Sequence, residues 1–320
     1  MTYAFRKAGL AVVAGTFMAL AATPAVHAQE FINVLTGGTS GVYYPLGVAL
    51  SEIYGEGIPG SRVQVQATKA SVENLNLLAQ KKGEIAFALG DAVKLGWEGN
   101  QEAGYPAALT GLRAIAAIYP NYVQIVAASE SGATTLADLK GKSVSVGAPA
   151  SGTELNARAI FAAAGMSYDD LGKLEYLPYA ESAELIKNRQ LEATLQSSGL
   201  GVAFIKDLAS THEINLVAIP ADVVEKIGAP YVPTTIPAGT YQGQDADVPT
   251  AAIGNILVTH DGVSDETAYQ MTRLLFENLD RMVASHAAAK DISLEGAITG
   301  LPIPLHPGAE RYYREKGIIQ

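Results

Sequence analysis

The sequence predicts an α/β protein of two similarly wired lobes, and three observations carry that prediction. Short apolar runs alternate with segments of helical spacing. A strand–helix–strand–helix–strand order occurs twice, about 110 residues apart, and that order implies parallel sheet with right-handed crossovers. Each occurrence places a Gly/Ser/Thr loop between its first strand and its first helix.

The chain opens with a segment of a different kind. Arg6 and Lys7 precede an apolar run from Ala8 to Ala22, followed by Thr23-Pro24 and then Val26-His27-Ala28. This is the order of a secretory signal peptide over residues 1–28, cleaved after Ala28. The run is shorter than the roughly 20 residues a spanning helix needs. With no cysteine after the cleavage point to carry a lipid, the expected product is a soluble periplasmic monomer with no direct membrane insertion.

The first unit follows. Phe31 to Leu35 reads as a buried strand, Thr36-Gly37-Gly38-Thr39-Ser40-Gly41 as a loop, and Val42 to Tyr54 as a helix with Leu46, Leu50, Ile53 and Tyr54 on one side. Arg62 to Ala67 is the second strand and Ser71 to Lys82 a helix with a Val72/Leu75/Leu78 stripe; Glu84 to Leu89 closes the unit. In the second unit, Ser143 to Val146 is a strand, Gly147 to Gly152 a loop and Thr153 to Gly165 a helix. Leu174 to Pro178, Glu181 to Arg189 and Leu191 to Gln196 supply strand, helix and strand. Between the units, Ala114 to Val126 reads as two strands meeting at Pro120-Asn121, where the chain passes between lobes. After the Pro- and Gly-rich stretch from Pro230 to Pro249, a strand over 251–258 and a helix over about 265–286 return it. The expected lobes are 29–118 with 252–320, and 119–251, joined by two hinge crossings.

Composition narrows the function. The 320 residues are 48% hydrophobic and 17% charged, which argues against disorder. A formal net charge of −10 argues against nucleic acid or an anionic membrane as partner. The absence of cysteine removes disulfides, thiol nucleophiles and cysteine-held metals. There is no G-x-S-x-G elbow, no P-loop ending and no full dinucleotide fingerprint, and His212, His260, His286 and His306 lack metal-ligand spacing. The reading is a binding protein that is not an enzyme and has neither cofactor nor metal.

Ligands of open α/β sheets bind beyond the carboxyl ends of the strands. Each lobe would present there a Gly/Ser/Thr loop running into a helix N-terminus, where free N–H groups and the helix dipole favour an anion. Gly41 and Gly152 allow close approach, and Thr39, Ser40, Ser151 and Thr153 can donate hydroxyls or simply cap helices. Thr68, Ser71 and Asn74 stand at the second helix start, where Ser71 could cap with Asn74 at the capping-box position. Asp91 is expected to cap the following helix or to bind a ligand amino group. Tyr43, Tyr44, Tyr122 and Tyr179 are candidates for cleft walls or core. Asn156 could reach the cleft, whereas Glu154 favours the dipole.

Several segments together resemble the TAXI branch of TRAP transporter solute receptors. They are Gly37 to Gly47, Ala67 to Leu75, Asp138 to Gly147, Ser151 to Ala157, Ile236 to Tyr241, and Leu305-His306-Pro307-Gly308-Ala309 with Tyr312-Tyr313. The resemblance covers essentially the whole mature chain. It implies a type II periplasmic binding protein fold, each lobe built on a mixed, mostly parallel sheet. It implies closure on a small carboxylate such as glutamate or glutamine, and delivery to a TRAP membrane permease subunit. Ala70 departs from the family's usual Gly before Ser71, and Glu192 from its Asp. His306-Pro307-Gly308 is read as structural or permease-facing. The alternatives are an ABC-type receptor for a sulfonate, nitrate or thiamine precursor, an exported enzyme using Asp91 or Glu154 as acid or base, and a signalling adaptor.

Overall fold

The computed structural model describes residues 1–2 and 30–320. From residue 3 on, the expected signal peptide lies outside the described residues. No described helix is long and apolar enough to cross a membrane.

The first unit is β1 (Glu30–Leu35), α1 (Tyr43–Gly57), β2 (Ser61–Gln66), α2 (Ser71–Ala79) and β3 (Ile85–Leu89), followed by α3 (Gly90–Glu98). Next comes β4 (Leu112–Ala128), and then the second unit: β5 (Ser143–Ser145), α4 (Gly152–Ala163), β6 (Lys173–Glu175), α5 (Tyr179–Lys187) and β7 (Ala193–Ser198). The chain continues through α6 (Ala203–Thr211), β8 (Ile214–Val217), α7 (Ala221–Ile227), β9 (Val232–Ile236) and β10 (Val248–His260) to α8 (Asp265–Glu277), α9 (Leu279–Ser285) and α10 (Pro307–Glu315).

The two units are wired alike. β1 lies between β2 and β3, parallel to both, and β5 lies between β6 and β7, parallel to both. Two long antiparallel strands join them, giving the order β2-β1-β3-β10-β4-β7-β5-β6, with β8 beside β4 and β9 beside β10. The fold is the α/β architecture the sequence predicts, on a mixed sheet.

Helices cover both faces. Leu46, Leu50, Ile53 and Tyr54 of α1 pack with α5, α6 and α8–α10 in one core cluster. Val72, Leu75 and Leu78 of α2 pack with α3, α4 and α7 in the other. Each fully buried aliphatic side chain of these stripes contributes about 1.5–3 kcal/mol.

Two sequence expectations are corrected here. The segment expected as two strands meeting at Pro120-Asn121 is the single strand β4. Pro120 faces Gly254 where the β4–β10 register shifts, and a bulge is where a strand tolerates a residue without an N–H. The helix expected over 265–286 is two, because Asn278 leaves helical geometry (φ −129°, ψ 30°) and its amide caps the Leu274 carbonyl at 2.8 Å.

The C-terminal motif is structural. His306 caps α10 by accepting from the Gly308 amide at 3.1 Å, while its other ring nitrogen contacts the Val263 carbonyl at 3.1 Å. A Cβ on Gly308 would stand 2.0 Å from the Asp265 carbonyl, so only glycine lets α10 close on α8. Glu192 is likewise structural, accepting from the Ser143 amide at 2.8 Å.

Candidate functional site

The carboxyl ends of all six parallel strands face one cavity of about 150 Å³. The first unit supplies Gly37, Gly38, Gly41, Val42 and Tyr43 after β1, Thr68 to Ser71 after β2, and Leu89 at the end of β3. The second supplies Ala148 and Ser151 to Thr153 after β5, Pro178 and Tyr179 after β6, and Ser197 and Ser198 at the end of β7. Tyr119 and Asn121 of β4 complete the wall. The space is well below the several hundred Å³ of a drug-sized site.

Four helices, α1, α2, α4 and α5, begin at this wall. Their positive dipole ends converge on the cavity, and Lys69 is the one formally charged residue lining it. Among the described residues, the amides of Ser71, Gly152 and Thr153 find no acceptor within the protein.

Much of the wall's hydrogen bonding is already committed. Tyr179 Oη donates to the Ser197 carbonyl at 2.8 Å and pairs with Thr153 Oγ1 at 2.6 Å. Asn121 Nδ2 donates to the same carbonyl at 3.0 Å, and its Oδ1 accepts from Asn255 Nδ2 at 2.8 Å. Tyr43 Oη donates to Asn255 Oδ1. Ser71 Oγ accepts from the Leu89 amide at 3.1 Å and Ser151 Oγ from the Glu154 amide at 3.2 Å. Tyr119, 1% exposed, has a buried hydroxyl with no partner. Burial pushes its phenol well above the ordinary value, so the group keeps its proton and stays a donor. An unpaired buried hydroxyl costs about 1–3 kcal/mol, which singles Tyr119 out among the wall residues.

Of the residues singled out from sequence, Gly41, Tyr43, Thr68, Ser71, Ser151, Gly152, Thr153 and Tyr179 line the cavity. Ser151 caps α4 as well. The others do not line it. Thr39 is exposed and Ser40 half-buried, because the loop turns them outward. Asn74 is buried as a brace, its amide donating to the Thr36 carbonyl at 2.6 Å and the Phe87 carbonyl at 2.9 Å while its Oδ1 accepts from Thr68 Oγ1 at 2.7 Å. The Ser71/Asn74 capping box is therefore absent, and Ala70 takes the cap position at φ 72°.

Asp91 does not cap α3. Its Oδ2 accepts from Asn156 Nδ2 at 2.7 Å and Tyr231 Oη at 2.6 Å, which also withdraws Asn156 from the cleft. Tyr44 lies in a surface groove with Glu52 and Arg281, and Tyr122 is half-buried away from the cavity.

Sequence reasoning missed Lys69, Tyr119, Asn121, Ser197 and Ser198. The last two stand at the carboxyl end of β7, where the strand-end rule would have found them had the strand not been ended at Gln196. Tyr119 and Asn121 were read only as the crossing point. Among the described residues, no group of three or more His, Asp or Glu is placed to hold a metal.

Comparison with known structures agrees on the fold. PhnD1 from Prochlorococcus marinus in complex with methylphosphonate superposes with a TM-score of 0.56 at 11% identity, covering 91% of this chain and 100% of its own. A binding protein component of an ABC phosphonate transporter from Pseudomonas aeruginosa gives 0.55 at 13%, covering 83% and 80%. The alkanesulfonate-binding protein SsuA from Xanthomonas axonopodis pv. citri bound to MOPS gives 0.50 at 16%, covering 90% and 85%. The family model matching residues 34–317 is that of the NMT1-like family. These findings overturn the TAXI resemblance, and with it the TRAP permease as partner. A match over nearly all of the described chain is decisive for kinship, and this protein belongs to the NMT1-like family.

Proposed function

We propose that this chain is the substrate-binding receptor of an ABC-type importer, exported by its N-terminal segment, and that it captures a small anionic solute and presents it to the importer's membrane subunits. The observation that carries the reading is the convergence of four helix N-termini on one small cavity with no acid on its wall. The similar proteins include one in complex with methylphosphonate, an oxyanion, and one bound to MOPS, whose sulfonate is an oxyanion beside a morpholine amine. In this reading 29–118 with 252–320 forms one lobe and 119–251 the other, and β4 and β10 are the crossings about which they close. Gly41, Tyr43, Thr68, Ser71, Ser151, Gly152, Thr153 and Tyr179 form the binding wall, with Tyr119 added to them. The chain binds and releases its solute chemically unchanged.

Calorimetric titration with methylphosphonate and methanesulfonate, beside native mass spectrometry of the purified protein for retained solute, tests the proposal. Ser71→Ala and Ser151→Ala are expected to weaken binding about tenfold while the fold stays cooperative, each losing about 1 kcal/mol of stability through the Leu89 amide or the α4 cap it leaves unpaired. Unchanged affinity in both variants overturns the site, and conversion of a bound solute overturns the receptor reading.

A further inference from the structure

We infer that the solute carries an oxyanion but no ammonium group, so that the cavity discriminates against zwitterionic amino acids and their sulfonate and phosphonate analogues. The inference rests on the receptor reading and deepens it to a substrate class.

A bound ammonium needs a carboxylate or several free acceptors once it is out of water. Three acids stand near the loops that build the wall, and each is committed elsewhere. Asp91 takes Tyr231 and Asn156 on one oxygen and the Ala92 amide, at 2.7 Å, on the other. Glu154, on the first turn of α4, is held by Arg158 at 2.6 Å and by Tyr168 at 3.0 Å. Glu73, on the first turn of α2, accepts from the Lys69 amide at 2.6 Å. None of the three lines the cavity.

The side-chain acceptors of the wall are spent in the same way. Asn121 Oδ1 is taken by Asn255, and the Ser197 carbonyl already receives both Tyr179 and Asn121. What remains is donors: the hydroxyl proton of Ser151 and the amides of Gly152 and Thr153 at the start of α4. The dipoles of four helix N-termini and the charge of Lys69 add a positive field. These few donors, on a wall that is otherwise mainly apolar, suit an acceptor-only head group, and the same field repels a cation.

Matched pairs isolate the ammonium. Calorimetry on the purified chain compares ethanesulfonate with taurine, ethylphosphonate with 2-aminoethylphosphonate, and glutarate with glutamate, and native mass spectrometry identifies any retained solute. The expected result is that the ammonium weakens binding by roughly tenfold or more in every pair that binds, and that a retained solute lacks an amine. An amino-bearing member that binds as tightly as its partner, or a retained amine, overturns the inference while the receptor reading stands. If no pair binds and no solute is retained, the receptor reading falls with it.

Discussion

Asn156 Nδ2 donates to Asp91 Oδ2 at 2.7 Å, closing a distance of 65 residues in sequence and tying α4 of the second unit to α3 after the first. Tyr231 Oη reaches the same oxygen at 2.6 Å, and Asn156 Oδ1 in turn accepts from Ser197 Oγ at 2.6 Å. The cluster therefore joins both units behind the cavity, through a carboxylate 5% exposed that accepts from donors alone.

Replacing Asp91 by asparagine presents an amide N–H₂ where only donors converge. Asp91→Asn is expected to lower stability by about 1–3 kcal/mol. Burial holds the Asp91 carboxyl above its ordinary range, although Tyr231, the Ala92 amide and Asn156 pull it down. A carboxyl raised in the folded state contributes stability that is complete below its unfolded value and is lost as the pH rises through the folded one. The gap between wild type and variant should therefore narrow from pH 4 to pH 7 in urea unfolding. A gap that widens counts against the assignment.

Ala70 offers a gain instead of a loss. It precedes α2 at φ 72°, ψ −143°, a region glycine enters freely and alanine enters at about 1–3 kcal/mol. Asn74 N–H donates to its carbonyl at 2.9 Å and its own amide donates to Thr68 Oγ1 at 3.0 Å, so the surroundings enforce the strained geometry. Ala70→Gly is expected to stabilise the protein by about 1 kcal/mol after the entropic cost of glycine. Differential scanning calorimetry should show a raised midpoint, and a lowered one would refute the strain.

The wiring of both units was legible because the segments keep simple periods between turn residues: α1 buries the stripe its spacing marks, β1 is a short, largely apolar strand, and β5 is a Ser-Val-Ser strand running into Val146. The cavity was legible in part, since Ser71, Ser151, Gly152 and Thr153 follow from the strand-end rule applied to single loops. Asp91 and Asn156 were misread because their roles depend on each other across 65 positions, and no local pattern announces a partner that far away. Tyr119 was missed for a similar reason. Proline beside it reads as a turn in sequence, and only the pairing of Pro120 with Gly254 shows the strand running on.

Gly152 measures how closely the two units approach. A Cβ there would stand 2.6 Å from Ser71 Oγ and 2.7 Å from Leu89 Cδ1, so an alanine must push those side-chain ends, both on the cavity wall, out of place. Beside it the Glu73 amide donates to the Ala150 carbonyl at 3.1 Å, a backbone bond between the same two loops. Gly152→Ala should leave each unit folded while forcing the loops apart, with an increased radius of gyration in small-angle scattering and binding weakened at least about tenfold. A variant that matches wild type in both measurements would show that the loops do not need this contact.

Tyr119 allows a test in which stability and affinity move in opposite directions. Its hydroxyl is buried without a partner, so the empty protein bears the desolvation cost of the group and regains nothing from it. Removing it with Tyr119→Phe keeps the ring in the wall and should raise the stability of the solute-free protein by up to about 1 kcal/mol. If the hydroxyl serves the solute, the same change deletes a donor from the bound state and weakens binding about tenfold, or about 1.4 kcal/mol. A tyrosine whose hydroxyl does not meet the solute would raise stability and leave affinity unchanged. Thermal unfolding with and without a saturating oxyanion reads the two effects in one instrument: the variant should melt above wild type when empty and below it when loaded, and curves that do not cross would exclude Tyr119 from the site.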